Sequence, residues 1–270
     1  MGTSPGSRLY HERFHRTDRP MIYAHRGASA MQPENTCAAF ALASRQGADG
    51  IECDVMRART GELVVCHDER LDRLAGLSAE VRDLSLEELR QVKVLADRFA
   101  GTAETVPTLE EAVGSAGPDL VWNVELKVDR DEEAEPLARA AVRELERLPL
   151  AGRVIVSSFH PLALLTVRKE APSLPTAYLW EGRGAVWHAL WGKLCGSAAL
   201  HPEASLVTEP RMRAWHGSGK LVNVWTVDDP DELRRLSSLG VDGVITNRPD
   251  VALEVLRGGG SARSGRRRRT

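Results

Sequence analysis

The chain is short of several things that would place it in a specialised class. It has no stretch approaching about 18 consecutive apolar residues, so no transmembrane helix is expected. The opening twenty residues, MGTSPGSRLYHERFHRTDRP, contain no apolar core of the kind a secretory signal needs, so a cytoplasmic location is expected. Four cysteines in 270 residues do not suggest an oxidised framework. Net charge is nearly absent too, at −2, which argues against a nucleic-acid partner bound by bulk charge. What is present, 42% hydrophobic and 27% charged residues, fits a soluble globular chain long enough to bury a real core.

The small net charge averages unlike parts. The last thirteen residues, GGGSARSGRRRRT, hold five arginines and no acid, and residues 1–257 without them carry −7. This tail (258–270) reads as a solvated, disordered linker-like segment, with weak contact to an anionic membrane or nucleic acid as the alternative. Residues 1–20 read as irregular. Residues 21–257 remain, close to the roughly 250 of a single (β/α)8 barrel.

Within that span, β-rich runs alternate with helical patterns. The runs are 22–25, 50–55, 63–67, 121–126, 154–158, 176–179, 199–201, 222–227 and 243–246. Most are continuous and apolar, as parallel strands buried on both faces should be. Asn35 and Thr36 can cap a helix running towards Gly47, Ser85–Glu88 and Thr108–Glu111 are capping-box patterns, and Asp229-Pro230 starts a helix that Gly240 ends. Nine runs are one too many for eight parallel strands. Only Met56 to Glu62 separate the second from the third, too short for a parallel crossover. These two should therefore form an antiparallel hairpin. With Thr60-Gly61 as a two-residue turn, His67 falls opposite Asp54, while Cys53 and Cys66 take the other face as reduced packing residues. Residues 68–106 form an insertion with one short helix at 86–92, and the remaining eight runs close an α/β TIM barrel.

Three segments at strand ends carry the chemistry: His25-Arg26-Gly27, Glu52-Cys53-Asp54 with His67-Asp68, and Asn123-Val-Glu125-Leu-Lys127. Glu52, Asp54 and Glu125 lie in runs that otherwise read as buried. Three buried carboxylates need a cation or raised pKa values, and an oxygen-only donor set suits one divalent cation, Ca²⁺ or Mg²⁺. The alternative is three surface acids on frayed strand ends. His25 and His67 can serve as acid and base near neutral pH, or be satisfied by ordinary hydrogen bonds. Arg26 and Lys127 can hold a phosphate, or pair with the same acids. A metal, two histidines and two cations around one site suit phosphodiester hydrolysis. Glu34, Asn35, Asn123 and Phe159 are further candidates for contact with ligand or support of the metal, with helix capping the plainer explanation of Asn35 and core packing the alternative for Phe159. Trp187 and Trp191 form an apolar stripe in Ala185–Leu194 that reads as packing, a lid or a shallow membrane contact.

In order along the chain, the segments HRGASA, PENT, GADGIECDV, ELVVCHDERLDR, VPTLEEA, NVELK, SSF, HP, NVWTVDD and VDGVITNRP resemble those of the glycerophosphodiester phosphodiesterase family. The resemblance covers residues 21–250 or so. It implies a TIM barrel with a small insertion after the His67-Asp68 segment, and hydrolysis of a small-molecule glycerophosphodiester to glycerol 3-phosphate and an alcohol. It also implies that Glu52, Asp54 and Glu125 bind the metal, that His25 and His67 are the acid–base pair, that Arg26 and Lys127 contact phosphate, and that Trp225 lines the glycerol side. Phe159, at a strand end, is expected in the same pocket. Thr60 and Leu74 depart from the usual residues of the family without removing a catalytic group. The other readings are a lysophospholipase D-type activity on lysolipids and a catalytically silent barrel that binds a phosphodiester.

Overall fold

The computed structural model describes residues 13–94, 104–182 and 185–257, and side chains in that last span from 190 onwards. The arginine-rich tail and the side chain of Trp187, both singled out above, lie outside the described residues.

Eight parallel strands close a barrel: β1 (Met21–His25), β2 (Gly50–Arg57), β4 (Val121–Leu126), β5 (Val154–Ser158), β6 (Thr176–Trp180), β7 (Ala199–Pro202), β8 (Leu221–Val224) and β9 (Gly243–Thr246). Sequence neighbours are space neighbours, and β1 pairs with both β2 and β9. A ninth strand, β3 (Leu63–Val65), runs antiparallel to the far end of β2, beyond the point where β1 has stopped. The outer ring includes α1 (Cys37–Gln46), α4 (Leu109–Ser115), α5 (Ala134–Arg147), α6 (Pro161–Glu170), α7 (Ala185–Leu194), α8 (Glu209–Gly217), α9 (Pro230–Leu239) and α10 (Pro249–Arg257). The caps follow the sequence. Ser85 and Thr108 complete capping boxes with Glu88 and Glu111, and Asp229 receives the N–H groups of Asp231 and Glu232 ahead of Pro230.

Inside the barrel, residues two apart share the inner face. Tyr23, Val121, Ile155, Ala177, Ala199, Leu221 and Ile245 pack there, and Phe14 is buried against them from the N-terminal side. Glu52, Asp54 and Glu125 continue the same inner faces towards the C-terminal rim. The strand faces turned outward pack on the helices, which leaves the acids no helix to snorkel past and only the rim to open onto.

The hairpin differs from the expected register by one residue. Val55 lies opposite Val65 and Met56 opposite Val64, because Ala58 and Glu62 bracket a three-residue loop in which Gly61 takes a φ of 104°. The Cys66 N–H therefore donates to Asp54 O, and it is Cys66, not His67, that faces Asp54. Cys66 consequently shares the face of Met56 and Val64 in the core of the insertion, whereas Cys53 packs with the outer barrel core. Both thiols are free. The insertion is also more structured than expected. It holds α2 (Asp72–Ala75) and a 3₁₀ turn at Val81–Asp83 as well as α3 (Leu86–Leu89), gathered over a small apolar core of their own.

Candidate active site

A cavity of about 240 Å³ opens at the C-terminal rim, lined by His25, Arg26, Glu52, His67, Asn123, Glu125, Lys127, Phe159 and Trp225 among others. The candidate metal, acid–base and phosphate-contacting residues drawn from the sequence meet here, with Asp54 beneath Arg26 and Lys127, whereas Glu34 stands behind Arg26 and Trp191 is not part of the lining.

Glu52, Asp54 and Glu125 are buried, and each offers a carboxylate oxygen within 4.8 Å of the other two. Register explains the meeting: Asp54 and Glu125 are paired Cα partners on adjacent strands, and Glu52 is two residues before Asp54. Burial, with Asp54 and Glu125 close by, pushes the Glu52 carboxyl well above its ordinary value. Burial and Asp54 likewise raise Glu125, against the pull of Lys127. Glu52 Oε1 is buried without a hydrogen-bond partner. An all-oxygen, part-unsatisfied anionic cluster of this size is what a hard divalent cation requires, so the residues present fit one.

The cations are already engaged with these acids. Arg26 reaches Asp54 (Nε–Oδ2 3.2 Å) and donates from Nη1 to Glu34 Oε1 (2.9 Å). Its backbone N–H donates to Glu52 Oε2 at 3.0 Å. Holding both bonds takes a left-handed backbone, φ 56° at Arg26 and 81° at Gly27, and a Cβ on Gly27 would meet the Ala39 backbone at 2.6 Å. Lys127 Nζ donates to Glu125 Oε1 at 2.9 Å and lies 3.9 Å from Asp54. Burial works against its charge, but Glu125 and Asp54 outweigh that and hold it above its ordinary value.

Each histidine is oriented through Nδ1. His25 Nδ1 is 2.8 Å from Asn247 Oδ1. The Asn247 amide is itself fixed, since its Nδ2 donates to Asp228 Oδ2 at 2.6 Å and its Oδ1 accepts from Ser29. An amide oxygen only accepts, so the His25 proton sits on Nδ1 and Nε2 faces the acids, 3.9 Å from Glu52 Oε2. Burial, together with Arg26, lowers the His25 pKa and keeps the ring neutral. His67 Nδ1 is 2.6 Å from Asp68 Oδ1. Burial opposes the Asp68 charge, but Arg73 (Nε–Oδ2 2.6 Å) and His67 outweigh it and hold the carboxyl below its ordinary range. His67 thus donates from Nδ1 to an anion and keeps Nε2 for the cavity. Arg73, from the insertion, also grips Glu34 at 2.7 Å and so links the Arg26 side of the site to the His67 side.

Phe159 and Trp225 form an edge-to-face pair with centroids 5.5 Å apart, and Trp225 Nε1 donates to the His201 carbonyl. Asn35 is not the helix cap. Thr36 takes that place, accepting from the Ala39 N–H, while Asn35 adopts φ 57° and donates from Nδ2 to Asp54 Oδ2 at 2.9 Å. Sequence reasoning assigned no role to Asn247, Asp228 or Arg73. All three stand inside the matching segments, and short polar residues just beyond β8 and β9 were the signal for the first two.

A model of the Glycerophosphoryl diester phosphodiesterase family matches residues 25–251, which include every residue named in this site. A glycerophosphodiester phosphodiesterase of Caldanaerobacter subterraneus subsp. tengcongensis is 34% identical over 247 residues, 90% of this chain and all of that protein. One from Bacillus altitudinis is 32% identical over 87% of this chain and 97% of its own length. Among solved structures, an Oleispira antarctica phosphodiesterase in complex with the product sn-glycerol-3-phosphate superposes with a TM-score of 0.83 at 27% identity, covering 88% of this chain and 97% of that one. The glycerophosphodiester phosphodiesterase of Thermotoga maritima gives 0.73 at 26% identity, over 89% and 100%. Sequence and fold agree over almost the whole barrel, and the chain belongs to the glycerophosphoryl diester phosphodiesterase family.

Proposed function

We propose that this protein hydrolyses glycerophosphodiesters to glycerol 3-phosphate and an alcohol, with His25 and His67 as the acid–base pair. The observation that carries this reading is that two imidazoles, each with Nδ1 spent on a fixed partner, present Nε2 to one cavity beside a buried triad of acids. The family membership and the product bound to the Oleispira antarctica relative support the substrate class.

Glu52, Asp54 and Glu125 would hold the divalent cation, Ca²⁺ or Mg²⁺, which when bound supplies positive charge to the phosphoryl oxygens. Arg26 and Lys127 line the same cavity and bring a guanidinium and a point charge to the phosphate. The two histidines differ in what backs them. His67 leans on the Asp68 carboxylate through Nδ1, and its Nε2 is assigned the proton given to the leaving alkoxide. His25 leans on a neutral amide and stays unprotonated, so it takes a proton from the attacking O–H, whether water attacks directly or a glycerol hydroxyl attacks first and water then opens the cyclic diester. Phe159 and Trp225 offer an apolar edge to the carbon side of glycerol.

Leaving-group dependence tests the division of labour. His67→Ala should lose about 10² or more in kcat on a choline or ethanolamine diester, and much less on a p-nitrophenyl diester whose leaving group needs no proton. His25→Ala should lose as much on both. Equal losses for the two variants on both substrates would overturn the assignment.

A further inference from the structure

Six of the eight large hydrophobic side chains that stay exposed among the described residues lie between Phe159 and Leu194. Phe159 stands at the mouth of the cavity, Leu162 and Leu165 follow on α6, and Leu190, Trp191 and Leu194 stand on α7. The two helices are joined at their flanks. The Cys195 thiol donates to the Pro161 carbonyl, and Arg168 donates to the Leu194 carbonyl. Residues 161, 165 and 168 share one helix face, so Leu165 lies on the side of α6 that meets the end of α7. An apolar wall therefore runs from the cavity mouth down the outside of the barrel.

Its charge is one-sided. Arg168, Lys169 and Lys193 are exposed on the two helices, and the single acid among these twenty residues, Glu170, accepts from Arg139. The chain as a whole carries −2, so this wall departs in sign from the average.

We propose that the α6–α7 wall docks the protein on an anionic lipid bilayer, with Leu165, Trp191 and Leu194 entering the headgroup layer and Lys169 and Lys193 meeting lipid phosphates. Exposed apolar side chains beside cations are the composition that interfacial binding uses, and tryptophan and lysine suit that boundary because each has an apolar body and a polar end. A second copy of the chain fits this face less well. An isologous pairing would set Arg168, Lys169 and Lys193 against the same cations of the partner. Docking does not depend on the catalytic reading, because none of these five side chains lines the cavity.

Co-sedimentation of the full chain with vesicles of phosphatidylcholine, alone or with one third phosphatidylglycerol, tests it, alongside turnover of a water-soluble glycerophosphodiester as a check on folding. Three variants are compared with the wild type: Trp191→Ala with Leu194→Ser, Lys169→Glu with Lys193→Glu, and a tail variant with Arg263, Arg266, Arg267, Arg268 and Arg269 changed to Ser. Wild type and tail variant should both partition to the anionic vesicles, and each wall variant should partition roughly tenfold less or weaker still, with turnover unchanged. Lipid docking is overturned if the wild type stays in the supernatant, if the wall variants sediment like the wild type, or if only the tail variant loses binding. It is also overturned if light scattering shows a dimer that Trp191→Ala with Leu194→Ser dissolves.

Discussion

Replacing Glu52 by glutamine should stabilise the metal-free protein while abolishing its response to metal. Three carboxylates share the cluster with two permanent cations, Arg26 and Lys127, so one negative charge is left over. Glu52 is the acid with the weakest compensation: its ion-pair partner is His25 at 3.9 Å, and that ring is held neutral. With the carboxylate oxygens within 4.8 Å of one another and an effective dielectric constant near 20, each carboxylate neighbour repels Glu52 by at least about 3 kcal/mol. Arg26, through its guanidinium and its backbone N–H, offsets most of this pair of repulsions, and a net gain of about 1–3 kcal/mol on neutralisation is left. For a chain of this size that gain raises Tm by roughly 3–10 °C. The effect depends on pH in a definite direction. The Glu52 pKa is raised on folding, so the folded state keeps a proton that the unfolded chain has already released, and stability falls as pH rises through the raised value. Glu52→Gln lacks that slope. Its advantage should be smallest at about pH 4, below the ordinary glutamate value, and grow towards about pH 8. Thermal unfolding in chelator at the two pH values gives the difference. Repeating it in excess Ca²⁺ or Mg²⁺ should lift the wild type by about 2.7 kcal/mol at a hundred times Kd, and the variant by little. A lower Tm for Glu52→Gln in chelator at pH 8, or an undiminished response to metal, would refute the reasoning.

Asp228→Asn frees the Asn247 amide to turn, so His25 loses its fixed tautomer; kcat should drop by about 10–10² with KM little changed, and a drop confined to KM would contradict this. Arg73→Ala removes the side chain that holds both Asp68 and Glu34. Its kcat should fall several-fold, and Arg73→Lys should not restore it, because a single ammonium cannot span two carboxylates as the guanidinium fork does. Gly27→Ala places a methyl 2.6 Å from the Ala39 backbone at a left-handed φ, and chemical denaturation should show a loss of about 2 kcal/mol or more.

Much of this geometry was readable from residue order, and what was not has identifiable causes. Continuous apolar runs marked the strands because a parallel sheet between helices and a filled interior has no wet face. A connection of seven residues was too short to cross over, and that arithmetic gave the antiparallel β3. The same arithmetic misplaced the pairing by one residue, since it treated Thr60-Gly61 as the whole turn, and Arg59 joins the loop. His67 still reaches the cavity, because the chain leaves the ladder after Val65 and turns inward. Asn35 and Thr36 are both good caps, and nothing local says which one will turn away to bind Asp54. Asn247 and Asp228 stand about two hundred residues from His25, so only barrel closure brings them together. The insertion showed one capped helix in its sequence, whereas α2, which carries Arg73, is a single turn with no side-chain cap to announce it.

The bond between His25 and Asn247 joins the end of the first barrel strand to the residue just past the last. A growing chain therefore makes all three acids, both histidines and both cations long before it makes the amide that aims one of the rings. Until β9 closes against β1, the His25 imidazole is free to swap its proton between nitrogens, and the site is chemically complete but unaimed. Turnover in this protein would then report completion of the barrel, and a partly folded chain would carry the acids and cations of the site around an imidazole that nothing yet orients.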